Sequence, residues 1–240
     1  RETPGEADGT LPNLFAYMAE RGQAGPLLLT WGYSWDAEII LRAYYEAAIR
    51  ILLFCFSEPA EQEQLLREFW LDLGAIGGRR RSIKTVVARK AMKFTTGTDD
   101  PVFLALEDPE IFETQPQGTK AERNRLEQKW SFAQIVEVLS KKRVPGRRLD
   151  LLKSLLHGYG AASHLLHADR TALDFMHDRA TRDPAEAAIL ARAHAARIMC
   201  DQVSLGYFCT DALRSMCGLE FDAAESLHAA YRAVATLADE

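Results

Sequence analysis

The sequence predicts an all-α protein, a single irregular bundle of roughly eight to ten helices. Apolar residues recur at spacings of three and four in one segment after another. Helix-capping signatures stand in front of those segments. Alternating apolar and polar runs longer than a few residues, the mark of strands, do not occur. Of the 240 residues 48% are hydrophobic and 26% charged, the proportions of a folded globular chain and not of a disordered one. The longest apolar run, residues 51–56, is far too short to cross a bilayer. Residues 1–10 are acidic and rich in Gly and Pro, without the apolar stretch of a signal peptide. They read as a flexible N-terminal lead, and residues 11–240 as one helical domain.

Ser34 opens the first clear helix, running to about residue 56 with Ile40, Tyr44, Ala47, Ile51 and Cys55 on its core face. Glu38, Arg42, Glu46 and Arg50 follow at intervals of four, acid before base, and read as a solvent-exposed ladder. Ser57-Glu58-Pro59 breaks this helix and starts another that ends near Leu73, where Gly74, Gly77 and Gly78 predict a turn. Residues 79–94 form a basic helix and 96–100 a loop. Asp100-Pro101 is an N-cap with proline at the first helical position. After a loop at 114–118, Thr119-x-x-Glu122 and Ser131-x-x-Gln134 are capping boxes for two short helices on either side of Trp130. Val144-Pro145-Gly146 turns the chain into a helix over about 148–168, followed by a short one near 172–179. Asp183-Pro184-Ala185-Glu186 opens a long helix that Gly218 ends, and Asp222-x-x-Glu225 starts the last one.

The formal charge of −5 conceals a segregation. Seven basic residues and no acid lie between positions 79 and 93, among them Arg79, Arg80, Arg81 and Lys84; five more lie between 141 and 148, including Lys141, Lys142 and Arg143. Such clusters fit an anionic partner such as nucleic acid, and fit equally an acidic surface of the same bundle or of a second copy. Cys55, Cys200, Cys209 and Cys217 form no C-x-x-C pair and sit in apolar surroundings, which predicts buried free thiols and a reducing, cytoplasmic setting. Trp31, Trp35, Phe69 and Trp70 are expected in the core.

The helix near residue 160 carries the most chemistry. At 100° per residue, Leu152, Leu155, Leu156, Tyr159, Ala162 and Leu166 form its apolar face. Ser163 lies within that face and His167 at its edge, so Tyr159, Ser163 and His167 make a polar line along a packing surface. Gly160, Ala161 and Ala162 are small enough for a neighbouring backbone to come close. Buried polar groups need partners, and the line is either a structural hydrogen-bond network or a small site with His167 as acid, base or ligand group. Asp201, in the apolar run 198–209, needs a partner as well, for which His167 or an Arg is available.

Leu41-Arg42-Ala43-Tyr44-Tyr45-Glu46-Ala47-Ala48, the break at Ser57-Glu58-Pro59, Trp130, and Tyr159-Gly160-Ala161-Ala162-Ser163-His164-Leu165-Leu166-His167 together resemble a bacterial helical family known as a domain of unknown function. Its pattern is R-x-x-x-E on an early helix and Y-x-x-x-S-x-x-x-H on a late one, and the likeness covers roughly residues 35–170. The resemblance implies that Arg42, Glu46, Tyr159, Ser163 and His167 converge at one locus; it implies no activity. More distantly the chain resembles HEPN domains, helical bundles that often act as ribonucleases through R-x(4–6)-H, a spacing met by Arg170 and His177.

No Walker loop, G-x-G-x-x-G, H-E-x-x-H or G-x-S-x-G is present, so no cofactor and no metal is expected. Glu225-x-x-His228 is only one half of a di-iron ligand set. The expected function is that of a bacterial helical-bundle protein acting by binding, in a defence or stress system, with nucleic acid or a protein as partner and no membrane. The enzyme alternative is a metal-independent ribonuclease using His167 or His177 with Arg42 or Arg170. The third alternative is a structural homo-oligomer.

Overall fold

A computed structural model describes residues 4–107 and 118–219, with 229 and 232. Its regular elements among these residues are helical. In chain order they are α1 (Pro4–Thr30), α2 (Ser34–Cys55), α3 (Pro59–Arg67), a π-helical turn (Glu68–Asp72), α4 (Leu73–Thr96), α5 (Pro101–Leu106), α6 (Lys120–Lys129), α7 (Phe132–Lys141), a 3-10 turn (Leu149–Ser154), α8 (Leu155–His167), α9 (Arg170–Thr181) and α10 (Pro184–Met216). The only β-type pairing among them is an isolated bridge between Val144 and Arg147, where Gly146 takes φ 71° in the predicted turn. The all-α architecture is thus the one the periodicity requires. The chain divides into two compact units, residues 1–57 with 132–240, and residues 58–131, whereas the sequence predicts one domain over 11–240.

In the first unit α2 is the central element. Ala37, Leu41, Tyr45, Ala48, Ile49, Ile51 and Leu52 are all sealed from solvent, and an element apolar nearly all round is a buried one. This corrects the expected surface ladder. Glu38 is 1% exposed, and Arg42, Glu46 and Arg50 are half-buried, because α8 and α10 pack over that side of the helix.

The opposite side of α2 is covered by α1, a helix that the caps and periodicity of the sequence do not predict. Helix α1 begins at Pro4, inside the segment read as a lead, and Thr10 is buried. Pro12 and Pro26 lie within it, and each internal proline removes a donor at a cost of about 3 kcal/mol in an isolated helix. Tertiary packing outweighs that local penalty. Gly22 and Gly25 bring α1 close to Tyr44 and to Gln202, respectively.

The helix near residue 160 is rotated from its expected phase. Residues 149–154 wind as a 3-10 turn of three residues per turn before α8 begins, so a wheel drawn at 100° from Leu152 is out of register. Leu155, Ala162 and Leu165 are buried, whereas Leu156 and Leu166 are exposed. The close approach falls at Gly158, where an added Cβ would lie 3.1 Å from the Tyr45 hydroxyl; Gly160 has nothing within 4 Å.

In the second unit, α3 continues through the π-helical turn into α4, and the glycines expected to form a turn lie inside α4. Glycine costs only about 1 kcal/mol in a helix interior. The π-helical turn carries Glu68, whose carboxylate accepts from Gln64 Nε2 (2.8 Å), Lys129 Nζ (2.8 Å) and Trp130 Nε1 (2.9 Å). Phe69 packs edge-on against Trp70 and also against Trp130. The unit's other ends follow the sequence signals. Gly97 closes α4 at φ 76°, Asp100 accepts from Val102 N at 2.8 Å, and Thr119 with Glu122 forms the full capping box.

Asp183 caps α10, and Gly218 ends it at φ 64° with Leu219 N donating to Arg214 O. The four cysteines are free; Cys209 is buried but Cys217 is exposed, against expectation, because it lies one residue past the end of α10. Trp31, expected in the core, is 73% exposed at the end of α1. Residues 114–117 of the expected loop, the helix expected from Asp222, and Glu225-x-x-His228 lie outside the described residues, apart from helical positions 229 and 232. No described helix is long and apolar enough to cross a membrane.

Candidate ligand-binding site

A polar seam runs between α2, α8 and α10 in the first unit. At one end Arg42 Nη2 donates to the Tyr159 hydroxyl at 3.0 Å, and that hydroxyl donates to Glu46 Oε1 at 3.0 Å. Arg42 also pairs with Glu46 at 3.5 Å, Arg50 with Glu46 at 3.4 Å, and the Arg42 guanidinium lies 4.8 Å over the Tyr159 ring. The other face of the geometry is Phe132, stacked on Tyr159 with centroids 3.9 Å apart. Burial pushes the Tyr159 phenol upward; the Arg42 hydrogen bond opposes this and the Glu46 carboxylate adds to it. The phenol therefore stays a neutral donor.

Three of the five residues assigned to this locus from sequence come together: Arg42, Glu46 and Tyr159. The other two do not join them. Ser163 Oγ donates back to the Tyr159 carbonyl of its own helix at 2.8 Å, which satisfies it locally. His167 is exposed as the last residue of α8, about 200° round the helix from buried Leu165. The helix ends there, with Ala168 in the left-handed region at φ 48°. Asp201 is not served by His167. Its Oδ2 accepts from Arg197 Nη1 at 3.0 Å and from the Tyr45 hydroxyl.

Further along the seam is a cluster that sequence reasoning missed. His194 Nε2 donates to Glu38 Oε2 at 2.8 Å, Arg197 Nη2 donates to the same oxygen, and Arg179 Nη1 donates to His194 Nδ1 at 3.1 Å. A guanidinium has no acceptor; Nδ1 must accept, and the proton of the neutral ring sits on Nε2. Burial opposes the charge on Arg197, but Glu38, Tyr45 and Asp201 hold its pKa above the ordinary value. Burial pushes the Tyr45 phenol upward, reinforced by Asp201. Arg179 Nη1 also reaches Ser34 Oγ at 3.4 Å, and its guanidinium lies 4.1 Å over the Trp35 ring. Removal from water lowers its pKa. No carboxylate among the described residues comes within ion-pair distance of Arg179.

This cluster forms the wall of a cavity of about 440 Å³ bounded by α2, α8, α9 and α10, within the usual size of a small-molecule site. Trp35, Glu38, Arg179, His194 and Arg197 meet apolar walls made by Leu165, Phe175 and Leu190. Trp35, expected in the core, thus lines a pocket. Glu38 Oε1 is buried and has no hydrogen-bond partner among the described residues. A buried carboxylate oxygen left unpaired costs about 1–3 kcal/mol, and such a group calls for an explanation.

A signal for this cluster was present. His194, Arg197 and Asp201 stand at i, i+3 and i+7, on the side of α10 that buries Ile198 and Leu205. Its partners on α2 and α9 were not deducible from spacing, since contact between distant segments is a tertiary fact.

The basic residues assigned to nucleic acid fall in different units. Arg79, Arg80, Arg81 and Lys84 are on α4; Lys141 ends α7, and Lys142 and Arg143 follow it. Several have partners within their own unit: Arg80 with Glu127, Lys141 with Glu137 at 2.9 Å, and Lys142 with the Phe56 carbonyl at 2.9 Å. Of the pair with HEPN spacing, Arg170 and His177 are both exposed. Among the described residues no group of three or more His, Cys, Asp or Glu side chains is placed to hold a metal ion.

Comparison with models of known protein families, with curated proteins and with solved structures finds no match for the chain.

Proposed function

We propose that this protein acts by binding, and that its ligand seat is the cavity between α2, α8, α9 and α10. One observation carries the reading: Glu38, almost wholly buried in the cavity wall, has an oxygen with no hydrogen-bond partner among the described residues. A protein that needed only a structural ion pair would gain from filling that valence or from replacing the pair with apolar groups. The oxygen is itself sealed from solvent, and a ligand donor that displaces the side chain over it supplies the missing hydrogen bond. The imidazole of His194 is held by two partners, and the Trp35 ring by the Arg179 guanidinium, so the wall is pre-organised in the way that favours binding. A thermal-shift screen of small polar metabolites tests this, run on the full chain beside Ala193→Trp. Ala193 is exposed at the cavity, and an indole there fills the space without entering the core. A compound that raises the Tm of the wild type and not of the variant supports the reading; a screen with none overturns it.

A second reading, metal-independent ribonuclease activity, draws support from the contact between Arg179 and His194. A guanidinium can hold a phosphate while an imidazole moves a proton. Binding is the stronger reading because both imidazole nitrogens already have protein partners, which leaves none for a substrate hydroxyl.

A further inference from the structure

The charges around His194 are sorted to either side of it. On one side a single guanidinium, Arg197, serves two carboxylates, Glu38 and Asp201; that group carries one negative charge in excess. On the other side Arg179 has no carboxylate in ion-pair contact among the described residues and carries one positive charge in excess. Asp178 and Arg182 also line the cavity; Arg182 pairs with Asp178 at 2.8 Å and with Glu186 at 3.9 Å, and both acids stand on the exposed rim, where water screens their pull on Arg179. Between the two excess charges stands only the neutral ring of His194, bonded to Glu38 through one nitrogen and to Arg179 through the other. The wall is a fixed dipole spanning two hydrogen bonds and one imidazole. In a half-buried site such charges are poorly screened and attract their opposites strongly.

Resting on the reading of this cavity as a ligand seat, we infer that its ligand is a small zwitterion with an apolar body. The anionic group sits on the Arg179 guanidinium and a protonated amine meets the Glu38 carboxylate. The apolar body lies against Leu165, Phe175 and Leu190, the apolar residues lining the cavity on three of its helices. A simple anion would satisfy Arg179 and leave the Glu38 oxygen bare. A simple cation would do the reverse. An ammonium matches Glu38 better than a neutral donor does, since hydrogen bonds between charged groups are the stronger kind. An α-amino acid with an apolar side chain is the simplest molecule of this class.

The test is calorimetric titration of the full chain with L-phenylalanine, 3-phenylpropanoate (the same molecule without its amine) and 2-phenylethylamine (without its carboxylate). Phenylalanine should bind, with each half-molecule weaker by about tenfold or more, the loss expected for one charged hydrogen bond. Glu38→Gln should remove the advantage of phenylalanine over phenylpropanoate. Arg179→Gln, at a half-exposed position, should remove its advantage over phenylethylamine. Phenylpropanoate or phenylethylamine binding as tightly as phenylalanine overturns the zwitterion. So does the absence of binding by all three, in which case the cavity reading still stands or falls on its own screen. Ala193→Trp separates the two failures. If it abolishes binding of a half-molecule, the cavity remains the seat and only the zwitterion is lost; if heats are unchanged by it, both are lost.

Discussion

Arg179 Nη1 donates to His194 Nδ1 at 3.1 Å, and this contact decides which tautomer the imidazole adopts. With Nδ1 accepting, the ring proton lies on Nε2 and points at Glu38. Nitrogen-15 spectra of histidine-labelled protein at neutral pH should show His194 as the Nε2–H tautomer. Arg179→Ala should release it from that form at a cost of about 1–2 kcal/mol, since the half-buried cation–π contact with Trp35 is lost as well. An Nδ1–H ring in the wild type would contradict the arrangement.

Glu38 is the acceptor for both His194 and Arg197. Glu38→Ala removes it and leaves the buried His194 donor without its partner, while half-exposed Arg197 retains Asp201. Urea unfolding should show a loss of about 3 kcal/mol. Glu38→Gln keeps an acceptor oxygen in place and should lose about half as much. Equal losses would mean that the cavity wall, and not the hydrogen bonding, is what the carboxylate supports.

Gly206 on α10 lies against α2. A Cβ there would come within 2.8 Å of the Tyr44 hydroxyl, which donates to the Gln202 carbonyl at 2.7 Å. Tyr44 is itself buried, so it has no room to retreat. Gly206→Ala should destabilise by about 2 kcal/mol, whereas Gly160→Ala, with open space around it, should stabilise by about 0.5–1 kcal/mol. Thermal melts of the two variants should move in opposite directions.

Glu68 in the second unit should govern part of the acid limb of stability. Burial pushes its pKa up, but the hydrogen bonds from Lys129, Trp130 and Gln64 outweigh burial and hold it below the ordinary 4.5. A depressed folded-state pKa contributes stability that is fully present above about pH 4.5 and is lost as the pH falls through the folded value. Denaturation followed from pH 7 to pH 3 should therefore be steeper for the wild type than for Glu68→Gln. Parallel curves would remove Glu68 from the acid response.

The ribonuclease reading is decided by incubating total RNA with the protein in EDTA, beside His194→Ala and His167→Ala. Cleavage lost in His194→Ala and kept in His167→Ala would favour it. The proposed binding function predicts no cleavage by any of the three.

The sequence by itself determined the helical class and most helix boundaries, because periodicity and caps are local. Thr119 with Glu122, Asp100 with Pro101, and Gly218 act within a few residues of chain, and each does in the structure what its chemistry requires. The same local logic failed where packing overrides it: α1 runs through two prolines because α2 needs covering, and α4 runs through three glycines. Three of the five residues of the expected polar locus were legible as a group, since Arg42, Glu46 and Tyr159 do meet. Tertiary structure alone decided that Glu38 is buried and not exposed, that His167 stands outside, and that Arg179 and His194 come together on one wall. A carboxylate reads identically in the sequence on either face of a helix. Which face meets water depends on the elements that pack against it, and those lie more than a hundred residues away.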